Sequence, residues 1–314
     1  MKRSVGAILG LFSLAGTLYA DDPIPIRNGR AITLPYLRLT PRTDVGELGR
    51  RRSFASIAIA NDYRLTDRSI EDVELYRFEF GAREPFAGGD LEWTAALQAF
   101  GGGFLDPIID GWHAGVLRWS HPERDRAAFG RTRIEIDGHR QSLGAGLGDL
   151  KLQWNRNWNE RVLSLAVELP TGNARKLTGS GELEAGVGVG FPVWERGRWE
   201  ASLHLAAIWQ FGRSELARVR SIVDQETVSA RYRIRDGESW HIQWHSEASA
   251  HRTGIPVSDA AHRIWGFGWR KRFDSGESIE IYFTEDRDLF TGGFPALADV
   301  GPDFAIGFRW FVVR

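Results

Sequence analysis

His241, His245 and Glu247 are the residues of this chain whose types and spacing come nearest to a reactive or metal-binding group. They alternate with other residues along the chain, so they would share one face of a β-strand. Imidazole and carboxylate groups suit zinc binding and proton transfer. However, residues four apart on a strand are separated by about 13 Å, too far for one ion to bind both histidines easily. We therefore expect a polar wall here, and we predict no metal, no cofactor and no catalytic residue.

A second acid–base group, Asp106, Asp110 and His113, follows a run of three glycines at 101–103. Asp106 has the residue type of a helix N-cap, and Pro107 suits the first helical position. The neighbouring apolar residues share one helical face: Ile108, Ile109 and Trp112. The spacing predicts a short amphipathic helix whose acid–base residues cap it. The alternative is that they narrow a passage or contact a ligand.

The elements that position these groups have a period of two residues. From Trp199 to Phe211, the odd positions are apolar and the even positions are mostly polar, as in a strand with one face in an apolar environment. Twelve such runs follow one another: 53–63, 70–82, 90–101, 148–158, 160–170, 182–192, 198–211, 225–235, 238–250, 260–273, 277–286 and 302–313. Their lengths are near the roughly 9–11 residues that a tilted membrane strand needs.

The sequence therefore predicts an all-β fold, a transmembrane antiparallel meander β-barrel of about 12 strands in the outer membrane. Short connections such as Asp236-Gly237 alternate with long ones, of which 102–147 is the longest, as in barrels with short periplasmic turns. The predicted helix lies in this long loop after the third strand. A soluble β-sandwich or barrel with an apolar interior is the alternative, because alternation alone does not say which face is buried.

The beginning of the chain resembles a secretory signal. Lys2 and Arg3 precede an apolar stretch at 5–18, and Ala20 offers a small residue for cleavage. We assign residues 1–20 to a signal peptide. Residues 21–52, which contain four prolines, are assigned to an extended periplasmic lead-in that is partly tucked into the barrel. Residues 53–314 are assigned to the barrel domain.

The polar faces of the runs would line the barrel lumen. Paired charges avoid the large cost of isolated buried charge, so we expect a network that fills the barrel; the alternative is an electric field that orients a polar solute. The lumen-lining candidates are Arg231, Arg233, Arg270, Arg272, Arg309, Glu200, His204, His241, His245 and Glu247.

Several motifs point to one family. The stretch from Gly102 to Asp106 reads GGFLD and is followed by Ile109 and His113. Further motifs follow in order: Gly146-Leu147-Gly148-Asp149-Leu150, Leu169-Pro170-Thr171-Gly172, Ser180-Gly181, Phe283-Thr284-Glu285-Asp286 and Pro302-Asp303. Together they resemble an uncharacterised bacterial family, the domain of unknown function 3187 (DUF3187), although Trp112 stands where that family usually has phenylalanine. The resemblance implies an exported Gram-negative envelope protein with a barrel fold, and it brings no established activity.

Three functions agree with these features. The first is an outer-membrane channel or carrier for small polar solutes. The second is an outer-membrane lipid-modifying enzyme, for which no nucleophile is evident. The third is a sealed structural or binding barrel that works through its extracellular loops, where an arginine-rich run could bind lipopolysaccharide: Arg124, Arg126, Arg131 and Arg133.

Outer-membrane lipid and the barrel-assembly machinery are the other expected partners. The net charge of -1 gives no reason to expect nucleic acid, and the absence of cysteine excludes disulfides and thiolate sites.

Overall fold

The computed structural model of the protein describes residues 22–26, 29–112, 114–115, 129–212, 214–286 and 304–313. The predicted signal peptide, residues 1–20, lies outside this part of the chain. In chain order the strands are β1 Arg52–Leu65, β2 Ser69–Phe86, β3 Gly89–Gly101, β4 Arg133–Ile136, β5 His139–Gln141, β6 Gly146–Leu147, β7 Leu150–Trp158, β8 Arg161–Leu169, β9 Glu184–Arg196, β10 Trp199–Gln210, β11 Arg218–Val219, β12 Ile222–Arg235, β13 Glu238–Glu247, β14 His251–Arg252, β15 His262–Arg272, β16 Glu277–Asp286 and β17 Phe304–Val313.

Within these ranges, twelve long strands form a closed antiparallel barrel. Each pairs with the next long strand along the chain, and β17 pairs with β1 to close the ring. The short strands β4, β5, β6, β11 and β14 belong to the loops. The predicted twelve-stranded meander is therefore confirmed, and the predicted runs agree with the observed strands to within about four residues at each end.

Tight turns gather at one end of the barrel. Strands β7 and β8 are joined at Asn159 and Glu160, which both have positive φ, at 52° and 61°, as in the type I′ turn that matches the twist of a hairpin. Positive-φ glycines serve four other turns at this end: Gly88, Gly197, Gly237 and Gly276. Because the short turns of such barrels face the periplasm, we call this end periplasmic and the opposite end extracellular.

The burial of the side chains shows which face of each strand is turned outward. On β10, Trp199, Leu205 and Trp209 are 43%, 38% and 38% exposed. The intervening Glu200, His204 and Gln210 are buried. Exposed apolar side chains around buried charged ones are the reverse of a soluble protein, so the outer surface requires lipid. The membrane barrel is confirmed, and a soluble barrel with an apolar interior is excluded.

Among the described residues, two helices belong to the loops, α1 at Leu105–Trp112 and α2 at Pro256–Asp259, and 3-10 turns form at Val45–Glu47 and Ala174–Lys176. None of the helices in the described ranges has the length and apolar character needed to cross a membrane. The short helix predicted after the third strand is confirmed by α1.

Helix α1 lies against the outside of the barrel wall. The Asn61 side chain donates a hydrogen bond to Asp106 over 2.9 Å, and Glu74 accepts one from the backbone N–H of Leu105. Asn61 and Glu74 are register partners in β1 and β2. They point outward, because Ala60 and Leu75 beside them pack toward Leu34 in the lumen. The alternative in which Asp106 narrows the lumen is therefore wrong.

The capping prediction for α1 also needs correction. The helix begins at Leu105, one residue before the predicted cap, so Asp106 lies in its first turn. Its carboxylate accepts from Asn61 and from the Gly130 backbone N–H. The group that satisfies the free N–H at the helix start is Glu74, on the neighbouring strand. The side chain of Asp110 and all of His113 lie outside the described part of the chain.

Candidate functional site in the barrel lumen

The lumen is filled by the chain that precedes β1. We call residues 22–26 and 29–44 the plug. Its first arm runs from Asp22, near the periplasmic end, toward the extracellular end; residues 29–36 turn; and residues 37–44 return to β1. Most plug residues are buried. The predicted lead-in at 21–52 therefore lies mainly inside the barrel, where the sequence placed only a part of it.

Glycines on the inner wall make room for both arms of the plug. A Cβ atom on Gly268 would lie 2.2 Å from Ile24 Cδ1, and one on Gly266 would lie 1.9 Å from Ile26 Cδ1. The returning arm passes three alternating glycines of β9. There, a Cβ on Gly190 would lie 1.9 Å from the carbonyl oxygen of Arg42. Any side chain at these positions would occupy space that the plug fills.

Three buried glutamines hold the plug backbone. Gln243 accepts from the Ile24 N–H at 2.7 Å and donates to the Ile24 carbonyl at 2.9 Å. Gln225 makes the same pair of bonds with Leu39, at 3.1 and 2.8 Å. Gln153 does so with Thr40, at 2.8 and 2.9 Å. Each side-chain amide thus takes the place of a neighbouring strand and satisfies backbone groups that would otherwise be buried without partners.

Ion pairs fix the plug along its length. At the extracellular end, Arg30 pairs with Glu71 of β2 at 3.0 Å, and both side chains are fully buried. Near the middle, Arg38 pairs with Glu247 of β13 at 2.7 Å. At the periplasmic end, Arg42 pairs with Asp22 and so joins the two arms of the plug. Breaking such a pair leaves an uncompensated buried charge, which is strongly destabilising.

The predicted lumen arginines all lie on the inner wall and are paired. Glu200 accepts hydrogen bonds from both Arg231 and Arg233 across β10 and β12. Glu280 lies 2.7 Å from Arg270 and 4.0 Å from Arg309. Arg270 also donates to the Asp22 carbonyl at 3.0 Å and so contacts the plug.

The last predicted arginine lies at the periplasmic end. Arg272 lies 3.5 Å from Glu47, which also pairs with Arg52 at 2.6 Å. Glu47 thus links the chain just after the plug to two strands of the wall. Together these ion pairs form a charge network inside the barrel, as we expect from the sequence.

The predicted histidines are brought into the same lumen with different partners. His245 bonds Thr227 over 2.9 Å and lies 3.4 Å from Glu247. His241 lies 2.9 Å from the hydroxyl of Ser239, a pair that the sequence analysis did not identify. His204 is fully buried on β10. Within the described ranges, no three His, Cys, Asp or Glu side chains gather where a metal ion could bind.

A cavity of about 60 Å³ remains between the plug and the wall formed mainly by β1, β2 and β17. Its lining includes Arg38 from the plug together with Arg77, Lys151 and Arg309 from the wall. Arg309 is one of the ten lumen-lining candidates, and the alternation of β2 and β7 also places Arg77 and Lys151 on the inward face. Nothing periodic marks Arg38.

No protein-family model and no curated protein matches the chain, so its resemblance to DUF3187 stays a prediction. Among solved structures, the chain is similar to the COG4313 outer membrane channel from Pseudomonas putida F1. The two share 17% identity, with a TM-score of 0.52 over 87% of this chain and 100% of that chain.

The NanC porin and the CymD monoaromatic hydrocarbon channel are also similar, at 8% identity and a TM-score of 0.42. The similarity covers 82% and 84% of this chain and 98% and 88% of theirs, and at this TM-score no argument rests on it. The similarity to the Pseudomonas channel shows the fold. Together with the apolar outer surface, it identifies the chain as a β-barrel of the outer membrane.

Proposed function

We propose that the protein is an outer-membrane channel for small polar solutes and that its own plug closes it. The observation that carries this proposal is how the plug is held. No described plug residue pairs with a strand of the sheet; glutamine side chains and ion pairs reach it from the wall instead. The plug can therefore leave the lumen without breaking a strand pairing, and the wall behind it is lined by polar and charged groups.

Removal of the plug is the direct test of this proposal. In planar bilayers, the mature protein is expected to be mostly closed, whereas a variant without residues 22–44 should show frequent, discrete conductance steps. Folding of both proteins is checked by circular dichroism and by heat-dependent migration in gels. A folded, plug-free barrel that stays silent would contradict the channel and favour a sealed structural barrel.

A reversible lock gives a second test without deletion. The chain has no cysteine, and a Cβ on Gly29 would lie 2.9 Å from the Cβ of Ala60 on β1. A small shift of the plug away from β1 would bring two cysteines here to the Cβ separation of roughly 3.8 Å that a disulfide needs. The double variant Gly29→Cys/Ala60→Cys should be silent when oxidised and should regain wild-type activity when reduced. Each single cysteine variant is the matched control and should not respond to the oxidant.

Two predicted partners belong with this proposal. The barrel-assembly machinery would be needed to insert a chain of this fold, and lipopolysaccharide would surround its extracellular end. Within the described part of the arginine-rich run, Arg133 pairs with Glu135 at 2.8 Å and Arg131 lies 4.0 Å from Asp72, so these two arginines give a lipopolysaccharide site little support. Arg124 and Arg126 lie outside the described residues.

One pair of side chains bears on the alternative that the protein is a lipid-modifying enzyme. Ser239 and His241 are hydrogen-bonded, but both are buried inside the barrel, away from the lipid that such an enzyme would have to reach. Unchanged lipid turnover after Ser239→Ala would remove this alternative.

A further inference from the structure

The cavity beside the plug has the size of a small molecule. The wall is set back here because three inward positions of β1 carry small side chains: Ser56, Ala58 and Ala60. The plug closes the other side with residues of both arms, including Ile26 and Leu34. A volume of about 60 Å³ holds about four to six water-sized groups, at roughly 10–15 Å³ each.

Cationic side chains outnumber carboxylates in the lining of the cavity: four described cations line it, and one carboxylate, Glu79, does so. Arg38 and Arg309 also pair with carboxylates outside the lining, Glu247 and Glu280. Glu79 is already paired with Arg77 at 2.9 Å. The Lys151 ammonium donates to the hydroxyl of Thr40 at 2.6 Å. The lining therefore favours an anion over a cation.

Two arginines of the lining have hydrogen-bond donors to spare. Arg38 and Arg309 are 5% and 7% exposed. Arg38 Nη2 and Arg309 Nε have no hydrogen-bond partner among the described residues. Buried guanidinium N–H groups are costly to leave unpaired. A carboxylate is planar and can accept several such bonds, so it matches guanidinium donors well.

Apart from Thr40, Ser56 and Tyr282, the remainder of the lining is apolar. Leu34, Leu39 and Leu75 contribute to it, and Ala305 completes the wall next to Arg309. An inorganic anion would leave these apolar side chains next to a hydrated charge. A carboxylate with a short hydrocarbon chain would instead cover them with apolar atoms. We propose that the cavity binds a short-chain monocarboxylate of about four to six non-hydrogen atoms, such as acetate or propionate. This inference rests on the proposed function and names the class of solute that the closed channel holds.

Calorimetric titration of the mature protein in detergent with sodium propionate tests the site. One saturable binding event is expected for propionate and none for propionamide or propylammonium, which have similar shapes without the negative charge. Arg309→Gln should weaken propionate binding about tenfold or more, the value of one charge-assisted hydrogen bond. Glu280 keeps Arg270 as its partner in that variant. Arg161→Gln is the charge-matched control, since Arg161 is exposed at the start of β8.

A second variant tests the space without changing the charge. Ala58→Leu would fill the cavity from β1, and propionate binding should be lost while the barrel still folds. Equal binding of propionate and propionamide, or wild-type affinity in both Arg309→Gln and Ala58→Leu, would overturn the proposal. So would the absence of any saturable propionate binding to the folded wild-type protein.

The propionate site and the channel function are tested by separate measurements. Binding is measured on the closed protein in detergent, whereas conductance is measured on the plug-free barrel in a bilayer. Propionate binding together with a silent plug-free barrel would keep the site and remove the channel. Conductance without propionate binding would keep the channel and remove the site.

Discussion

Arg30 at the turn of the plug and Glu71 of β2 form a bidentate ion pair in which neither side chain is exposed, with distances of 3.2 Å from Nε to Oε2 and 3.0 Å from Nη2 to Oε1. Ser258 adds to it, because its carbonyl accepts from Arg30 at 3.0 Å and its hydroxyl lies 3.3 Å from Glu71. The pair joins the plug to the wall at the extracellular end.

Glu71→Gln is expected to loosen the plug. The substitution leaves the Arg30 charge buried without its partner, at a cost of about 3–5 kcal/mol. Trypsin should then cleave at the plug arginines, which are protected in the wild type, while the barrel keeps its heat-dependent gel migration. The double variant Arg30→Met/Glu71→Leu replaces the pair with apolar groups of similar size and should restore protection. Cleavage of both variants at the wild-type rate would contradict a role for this pair in closure.

Gln225→Leu should also release the plug, but to a smaller extent. It removes two hydrogen bonds to Leu39 and leaves a backbone N–H and carbonyl unsatisfied, at about 1–3 kcal/mol each. Opening frequency in planar bilayers should rise. Gln141→Leu is the matched control, because the hydrogen bonds of Gln141 go to loop carbonyls outside the plug, such as that of Ala174. An equal response of the two variants would show that the effect does not come from the plug backbone.

Gly190→Ala is expected to displace the returning arm of the plug. Its Cβ would lie 1.9 Å from a backbone oxygen of Arg42, and backbone cannot rotate away as a side chain can. The substitution should increase conductance and protease sensitivity without unfolding the barrel. Gly146→Ala serves as the control, since the nearest atom to its Cβ would be 3.5 Å away. Closed, protease-resistant Gly190→Ala protein would show that the plug does not need this space.

Closure should weaken at acidic pH through His251. This ring lies 3.0 Å from the hydroxyl of plug residue Tyr36. Burial and then the nearby positive charges of Arg30 and Arg38 lower the pKa of His251 to about 4, partly offset by Glu71 and Asp259. Because the folded pKa lies below the ordinary 6.5, the stabilisation is fully present above pH 6.5 and is lost as the pH falls through about 4.

The difference between the ordinary pKa of 6.5 and the lowered pKa of about 4 corresponds to a loss of closure free energy on the order of 3 kcal/mol. Opening frequency should therefore rise between pH 6.5 and pH 4. The variant His251→Gln should lose this component, whereas His139→Gln, at an exposed loop position, should retain it. The same pH response in all three proteins would assign it to other groups.

Ion selectivity of the plug-free barrel should depend on the charges around Glu200. Glu200→Gln removes a buried negative charge and leaves Arg231 and Arg233 without it, so preference for anions should increase. Arg231→Gln should change selectivity in the opposite direction. The reversal potential in a salt gradient measures both effects. Shifts of the same sign would mean that these side chains do not line the conducting path.

The strands were predictable because lipid acts on one face of every one of them. A strand such as β10 must alternate between lipid-facing residues and lumen-facing residues, and this periodicity is visible in the sequence without knowledge of its partners. Hairpin turns such as Asp236-Gly237 added an independent signal, because their positive-φ positions favour particular residues. Pairing of the lumen charges also followed, because an unpaired charge there would be too costly.

The plug was not predictable in the same way. It has no periodic pattern, because its backbone bonds to side chains of β7, β12 and β13 and not to a neighbouring strand. The signals that existed were indirect: inward glycines such as Gly266 and Gly268, and glutamines among the charged lumen residues. The position of α1 was missed for a related reason, since Asn61 and Glu74, which hold it, lie at outward positions where the alternation predicts contact with lipid.

The seam between β1 and β17 has a consequence for the order of folding. Arg52 pairs with Val313, so the wall cannot close until the last strand has reached the membrane, whereas residues 22–44 are made and exported first. Closing so long a loop is slow, which leaves time for the early segment to meet the inner faces of the first strands. We expect the sheet to wrap around a segment that is already in place, so that the nascent barrel is not hollow when its last strand arrives.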